Sequence, residues 1–237
     1  MPKVTFKYNI KKDAWSWVLI AKEKSQNTFG LNWQEEVVHI PKDLLVKILK
    51  LDFLKAQNIT EKYLKAHTKR KYREAVIREE LSALRNVWAK IEKTFFRILS
   101  SVTQSPIYIK KFDCFLTTGF MCPYNQKENS FMVSMWHSLP FSITTICHEL
   151  LHLQFLHYYK DYLEKRGLNN KQIEGLKESL TFLLNEEEFK EIILVKDKGY
   201  PDHQRLRRKL KKIWQKDKIF DSFLEKAVIQ ILKTTKY

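Results

Sequence analysis

Hydrophobic and polar residues alternate at the start of the chain. Val4, Phe6, Tyr8 and Ile10 occupy every second position, and this period is typical of a strand with one buried face. We therefore predict a strand at the beginning of the sequence. Asp13 is predicted to cap the short helix that follows, because a carboxylate can accept hydrogen bonds from the amides of a first helical turn.

Helical spacing of apolar residues dominates the next part of the chain. Pro41 precedes a run rich in leucine and isoleucine, and proline is favoured in the first turn of a helix. Between Thr60 and about Ser100, apolar residues recur every three or four positions among charged ones, which predicts one long helix or two in tandem. The apolar positions do not keep a strict heptad, so a coiled-coil arm is disfavoured.

The pattern changes after Pro106. Residues 107–116 and 130–136 contain the short apolar runs that are typical of strands. Residues 117–119 and 122–125 contain glycine, proline and asparagine, which favour loops. A small sheet is therefore expected in this half of the chain.

A long helix is predicted to follow the last of these strands. Residues 139–142 are interpreted as a turn in which Ser142 is the N-cap of the helix. The helix should continue to about Arg166, because Gly167 has the residue type that most often ends a helix.

The remaining pattern completes a fold of the α+β class that is mostly helical. Asn169 or Asn170 is expected to cap a helix that reaches about Phe189, and a basic helical tail follows further on. Residues 1–105 should form a mainly helical N-terminal region. Residues 106–237 should form a second region with a small sheet beside its long helix, and the two regions should make one compact unit.

The segment His148-Glu149-Leu150-Leu151-His152 carries the strongest chemical signal, the HExxH pattern. A helix advances about 100° per residue, so His148 and His152 stand about 40° apart on one face and can reach a single ion. Glu149 lies beside that ion without occupying a ligand position. A carboxylate placed there can take a proton from water that the metal activates. Two imidazoles and a carboxylate suit zinc (Zn²⁺) best, with cobalt and manganese as alternatives.

A catalytic zinc normally has three protein ligands and one open position. His157 would lie about 180° around the same helix from His148, so its side chain should point away from the ion. Glu178 is the better candidate because it shares a helical stripe with Phe182, and a buried carboxylate needs a partner. Glu174, one turn earlier, is the alternative third ligand.

The motif followed by Glu178 resembles the gluzincin group of zinc metallopeptidases, the class typified by thermolysin. The resemblance covers roughly residues 130–185, about a quarter of the chain. It implies that residues 106–237 form a zincin-like metal-binding region. In such a region a strand beside the active-site helix pairs with extended peptide, and residues 131–136 are the matching segment. It also implies a zinc-dependent peptidase that uses Glu149 as general base.

The same resemblance implies two further roles. Gluzincins often have an acid four residues after the third ligand to orient a zinc-bound histidine. Phe182 stands at that position here, so Thr181 or Asn185 is the candidate for this role. The family also commonly supplies a tyrosine or histidine from later in the chain to stabilise the oxyanion, which makes Tyr200 and His203 the candidates.

Other histidines, tyrosines and cysteines have weaker claims to a role. His137 and Tyr124 are secondary candidates for the oxyanion donor, and no role is predicted for His39 or His67. The three cysteines have no repeated spacing, which argues against a disulfide framework and favours the reducing cytoplasm. Cys147 is expected to be a small core residue, whereas Cys122 falls in a predicted loop. No signal-like segment or membrane span is expected, so no membrane partner is predicted.

The charge balance leaves a second class of function open. Lysine and arginine number 43 against 27 acids, a formal charge of +16, which suggests nucleic acid or an acidic surface as partner. The bases are spread along the chain and interleaved with glutamates, which favours a solvated surface. A peptide or protein substrate is therefore expected. The alternatives are a non-peptidase zinc amidohydrolase, or a nucleic-acid-associated protein with a structural zincin fold, which Glu149 disfavours because a structural site needs no base.

Overall fold

The structure, a computed structural model, describes residues 1–23, 32–66 and 70–234. It is an α+β fold, mostly helical, with one small sheet and a helical N-terminal region, as the sequence predicts. The helices and strands, in chain order, are β1 (Lys3–Tyr8), α1 (Ile10–Lys22), α2 (Trp33–Glu36), α3 (Lys42–Lys50), α4 (Phe53–Ala66), α5 (Arg70–Thr103), β2 (Lys111–Thr117), β3 (Tyr124–Asn125), β4 (Ser130–Ser134), α6 (Leu139–Lys165), α7 (Asn170–Leu180), α8 (Gln204–Trp214) and α9 (Phe220–Thr234).

The four strands form one sheet in the order β1-β2-β4-β3. Strands β1, β2 and β4 are parallel, and the short β3 is antiparallel to β4. A parallel pair needs a long crossover, and helices α1 to α5 lie within the crossover between β1 and β2. The alternation predicted for β1 is confirmed, because Val4 and Phe6 are buried.

Two hydrophobic clusters form the core. The larger one contains the sheet, α5, α6 and the C-terminal helices, with Trp88, Phe95 and Trp214 among its largest buried side chains. The smaller one joins α1, α3 and α4 around Trp17 and Ile48. Helix α6 carries the HExxH motif through the larger cluster, so the motif lies in the protein interior rather than on a surface helix.

The start of α1 differs from the prediction. Asn9 is the N-cap, and its side-chain oxygen accepts hydrogen bonds from two backbone amides of the first turn. Asp13 lies inside the helix and is fully buried, where it accepts hydrogen bonds from Tyr8, Thr117 and Thr118. The capping prediction was wrong because most of the donors that hold Asp13 belong to Thr117 and Thr118, which are far away in the sequence.

The start of α6 also differs from the prediction. The helix begins at Leu139 with Ser138 as N-cap, and Ser142 is a buried residue within it. Pro140 explains the earlier start, since proline fits the first helical turn, where no amide donor is required. At the other end, Gly167 adopts a positive φ of 88° and ends the helix as predicted.

Helix α7 begins as predicted and ends early. Asn169 caps it through a reciprocal pair of hydrogen bonds with Gln172. The helix stops at Leu180, and the chain continues in the short 3₁₀ turns Thr181–Asn185 and Glu187–Phe189 rather than as one helix. The carbonyl oxygen of Glu178 accepts a hydrogen bond from a distant arginine side chain, which explains why this end need not continue the α-helical ladder.

Three smaller comparisons complete the fold. Thr60 and Ser100 belong to different helices, α4 and α5, which confirms two helices in tandem; residues 67–69 lie outside the described part. The region predicted as the loop 122–125 contains strand β3, and Thr117 belongs to β2. Within the described residues, no helix is both long and apolar enough to cross a membrane.

Candidate metal centre

The structure brings the three predicted ligand residues together. His148 and His152 lie one turn apart on α6, with ring centroids 4.2 Å apart. Glu178 of α7 faces both rings, and its Oε2 is 3.4 Å from His148 Nε2 and 3.5 Å from His152 Nε2. Around a tetrahedral zinc with bonds of about 2.1 Å, ligand atoms are about 3.4 Å apart. The three atoms therefore have the spacing of a metal site.

The buried polar atoms of this cluster lack the hydrogen bonds that burial normally demands. Within the described residues, neither His152 Nε2 nor Glu178 Oε2 has a hydrogen-bond partner, although the two residues are only 1% and 5% exposed. Leaving such a group unsatisfied costs about 1–3 kcal/mol. A cation coordinated by these atoms removes that cost, so the residues fit a bound metal ion.

Asp197 orients the first histidine. Its Oδ2 is 2.6 Å from His148 Nδ1, which leaves Nε2 of the ring directed at Glu178. The carboxylate is held in turn by the Thr181 hydroxyl at 2.9 Å and by the Arg207 guanidinium at 2.9 Å. Such a partner fixes the tautomer and direction of a metal-binding imidazole.

Sequence reasoning missed Asp197 and assigned its role to Thr181 or Asn185. Those two residues instead hold the acid, since Asn185 exchanges two hydrogen bonds with the backbone of Asp197. The family position, Phe182, is buried in the core. Asp197 lies in a loop beyond α7, so no helical spacing from Glu178 could have identified it.

Lys177 is a second residue of the candidate site that the sequence analysis missed. Its ammonium group is almost fully buried and lies 3.0 Å from Glu178 Oε1, while donating to the Tyr124 hydroxyl at 2.9 Å. This contact occupies one oxygen of Glu178 and leaves the other for the histidine side. Lys177 also pairs with Glu174 at 2.6 Å, so Glu174 is not part of the ligand cluster. The sequence did contain a signal for the burial of Lys177, because Lys177 follows the buried Ile173 by one helical turn.

Burial and neighbouring charges set the protonation of the cluster. Burial lowers the pKa of His152 well below its ordinary value, so this imidazole is neutral and able to ligate. Burial raises the pKa of Glu178, but His152, His148 and Lys177 outweigh it and hold the pKa well below the ordinary range. The third ligand is therefore ionised.

Glu149 lies beside the ligands but is not one of them. Its Oε2 is 3.7 Å from His152 Nδ1, and that oxygen has no hydrogen-bond partner among the described residues. Burial is the main cause that raises the pKa of Glu149 to about 7. A carboxylate with this pKa is suited to exchanging a proton near neutral pH.

An open cleft of about 1290 Å³ gives access to this cluster and is lined by Glu149, His152 and Glu178. Tyr200 and His203, the predicted oxyanion donors, line the same cleft, and their ring centroids are 6.2 Å apart. Burial raises the pKa of Tyr200 well above its ordinary value, so its hydroxyl stays protonated. Burial lowers the pKa of His203.

The edge of the sheet beside the cleft differs from the family expectation. Residues 131–136 were expected to offer a free edge to extended peptide. Instead, β4 lies between β2 and β3, and Met132 N donates to Pro123 O at 3.0 Å. The segment that lines the cleft at this edge runs from Met121 to Tyr124.

The other histidines lie outside the ligand cluster. His157 is exposed and stacks on Tyr108, with centroids 4.1 Å apart, in agreement with the prediction that it points away. His137 packs against Phe141, and burial lowers its pKa to about 4. Neither residue lines the cleft.

Two histidines and the cysteines complete the placement of the candidates. His39 contacts the Trp17 ring edge-on in the smaller hydrophobic cluster, and His67 lies outside the described residues. Cys147 is buried in the larger core, whereas Cys122 lines the cleft and accepts a hydrogen bond from a backbone amide of β4.

No protein-family model, curated protein or solved structure matches the chain. The function therefore has to be inferred from the site itself. Three features of the site are informative: the spacing of the ligand atoms, their missing hydrogen bonds, and the cleft that reaches them.

Proposed function

We propose that this chain is a zinc-dependent peptidase of the gluzincin type, in which His148, His152 and Glu178 bind one zinc ion. The observation that carries the proposal is the convergence of three ligand atoms within 4.8 Å of one another, from two buried residues, His152 and Glu178, and the half-buried His148. Structural zinc sites usually have four protein ligands and are closed, whereas catalytic sites have three and stay open. Three candidate ligands, two of which (His152 and Glu178) line an open cleft, favour the catalytic kind.

A zinc ion held by His148, His152 and Glu178 would polarise the scissile carbonyl and lower the pKa of the attacking water. Glu149 accepts the proton of that water and passes it to the leaving amine. The carboxylate oxygen of Glu149 that lacks a hydrogen bond supports this role. A glutamate with a purely structural role would be expected to have partners for both oxygens.

The developing oxyanion requires a donor from the protein. Tyr200 and His203 are proposed for this role because both line the cleft and both come from the segment next to Asp197. Since the hydroxyl of Tyr200 keeps its proton, Tyr200 is the better donor of the two.

The size and edge of the cleft favour a peptide over a small amide. Pockets for small molecules typically have volumes of about 300–1,000 Å³, and this cleft has about 1290 Å³. An extended peptide can pair with backbone groups along a sheet edge. We propose that the substrate lies along the segment from Met121 to Tyr124, in place of the β4 edge. The chain's three free cysteines favour a cytoplasmic location.

The test compares two substitutions on the same helix. Purified protein is loaded with zinc and incubated with a broad peptide library, and cleavage products are identified by mass spectrometry. Glu149→Gln should keep one equivalent of zinc and the wild-type melting temperature while reducing turnover about 100-fold or more. Glu164→Gln, at an exposed position of α6, is the control and should cleave at the wild-type rate.

Two results would count against the proposal. A Glu149→Gln protein that cleaves as fast as wild type would exclude Glu149 as the base. A zinc-loaded protein that cleaves no peptide in the library would refute the peptidase assignment, while leaving the metal site to be judged by its zinc content.

A further inference from the structure

Helix α8 has an unusual charge. Six of its eleven residues are basic and none is acidic. Its inner side packs into the core through Leu210 and Trp214, both buried. Two of the bases have acidic partners, because Arg207 pairs with Asp197 in the site and Lys211 pairs with Glu186.

The other four bases form what we call the basic face of α8: Arg205, Arg208, Lys209 and Lys212. Their spacing places them along one side of the helix, and all four are exposed or half-exposed. No ion pair joins any of them to an acid in the described part of the chain. In the long helix α5, by contrast, bases alternate with glutamates.

The basic face begins at the metal cleft. Arg205 and Lys209 line the cleft, and Arg208 and Lys212 continue the face away from it. Three acids outside the catalytic cluster also line the cleft, namely Glu23, Glu174 and Asp202. Glu174 is already paired with Lys177, and within the described residues no ion pair joins the basic face to Glu23 or Asp202.

We propose that the basic face of α8 binds an acidic segment of the protein substrate, next to the residues that enter the cleft. From Arg205 to Lys212 the helix rises about 10 Å, which an extended peptide spans in three to four residues. The assignment of this segment to a substrate rests on the proposed function, whereas the binding of an acidic peptide to the basic face does not.

An acidic peptide fits this surface better than nucleic acid does. Proteins that bind single strands combine basic grooves with aromatic side chains on which bases stack. Helix α8 has one aromatic residue, Trp214, and it is buried. The charge of the basic face is therefore complementary to carboxylates, but the face has no exposed aromatic side chain on which a nucleobase could stack.

Binding is measured by fluorescence anisotropy on the full chain with labelled probes of equal length. The probes are a glutamate-rich peptide, the same peptide with glutamine for glutamate, and oligo-dT. One variant combines Arg205→Gln, Arg208→Gln, Lys209→Gln and Lys212→Gln. The control variant removes as much charge from exposed positions of α3 and α4, through Lys42→Gln, Lys47→Gln, Lys50→Gln and Lys62→Gln.

The glutamate-rich peptide should bind wild type and the control variant about tenfold more tightly than the α8 variant, and added salt should weaken that binding. Equal loss in both variants would overturn the proposal, because binding would then follow total charge. Absence of binding at low salt would also overturn it. Tighter α8-dependent binding of oligo-dT would assign the face to nucleic acid instead.

A turnover experiment separates this inference from the proposed function. A cleaved peptide is extended with four glutamates or four glutamines. The acidic extension should lower KM about tenfold in wild type but not in the α8 variant, with kcat unchanged. If the glutamate-rich probe binds through α8 and no peptide is ever cleaved, the peptidase assignment fails while the binding surface stands.

Discussion

Asp13 and Glu178 are both buried carboxylates, and their surroundings differ in one decisive respect. Asp13 accepts four hydrogen bonds, two on each oxygen, from Tyr8, Thr117 and Thr118. Glu178 has a close partner for one oxygen, the Lys177 ammonium, while its other oxygen faces two imidazoles without a hydrogen bond. The first carboxylate has partners for both oxygens, whereas the second has one oxygen without a hydrogen bond, which a cation could coordinate.

The difference separates a carboxylate whose hydrogen bonds are satisfied within the fold from one that is able to bind a cation. The donors around Asp13 fasten α1 to the end of β2, so removing the carboxylate should weaken the fold. The groups around Glu178 are arranged at a cost, since each buried atom without a partner lowers stability by about 1–3 kcal/mol. Natural proteins keep such groups mainly where they serve a function.

The largest expected effect is on metal content. His152→Ala should reduce bound zinc from one equivalent to none after dialysis against micromolar zinc, because two ligands remain where a catalytic site needs three. His157→Ala, on the same helix but exposed, should keep the full equivalent. Both values come from elemental analysis of the folded protein. A full equivalent in His152→Ala would mean that the ligands are assigned wrongly.

The next effect should be confined to stability. Asp13→Asn removes the charge that four donors share and should lower the free energy of unfolding by about 2–3 kcal/mol, the scale of hydrogen bonds to charged groups. Urea unfolding measures the change. Asp43→Asn, at an exposed position of α3, should stay within about 0.5 kcal/mol of wild type. Zinc content should remain one equivalent in both, and a loss of zinc in Asp13→Asn would break the distinction between the two carboxylates.

A smaller effect is expected where a carboxylate acts on the metal indirectly. Asp197→Asn should weaken zinc binding about 10- to 100-fold, because the His148 ring loses the charged partner that orients it. Competition with a chromophoric chelator measures the affinity. Asp161→Asn, on the exposed side of α6, is the control. Unchanged affinity in Asp197→Asn would show that the 2.6 Å contact has no influence on the metal.

The two carboxylates also show how far the sequence could be interpreted. The candidate ligands His148, His152 and Glu178 could be predicted because helical spacing fixes which side chains share a face, and because a buried glutamate in an apolar stripe needs a partner. Strand β1 and the stop at Gly167 followed from equally local patterns. These predictions depend on residues that are close in sequence.

The features that escaped prediction depend on contacts between distant segments. Asp13 was interpreted as a cap because its donors at the end of β2 are far away in the chain. Asp197 reaches His148 from a loop, and the partners of Lys177 include Tyr124, which belongs to another element. Sequence periodicity does not reveal contacts between distant segments. Whether a buried polar site has all of its hydrogen-bond partners can therefore be judged only from the structure.

The smallest expected effect comes from a half-buried imidazole that belongs to neither site. Burial lowers the pKa of His137 to about 4 from an ordinary 6.5. Its contribution to stability should therefore be complete above about pH 6.5 and should be lost as the pH falls towards 4, because the unfolded chain binds the proton first. Allowing for partial exposure, the loss should be about 1 kcal/mol by pH 5.

Urea unfolding at pH 7.5 and pH 5 measures this loss as the difference between wild type and His137→Gln. Wild type should lose more stability than the variant, and zinc content at neutral pH should be the same in both. An identical pH dependence in wild type and variant would show that protonation of His137 does not lower the free energy of unfolding. Burial alone would then be a poor guide to which histidines of this chain stay neutral and able to bind a ligand.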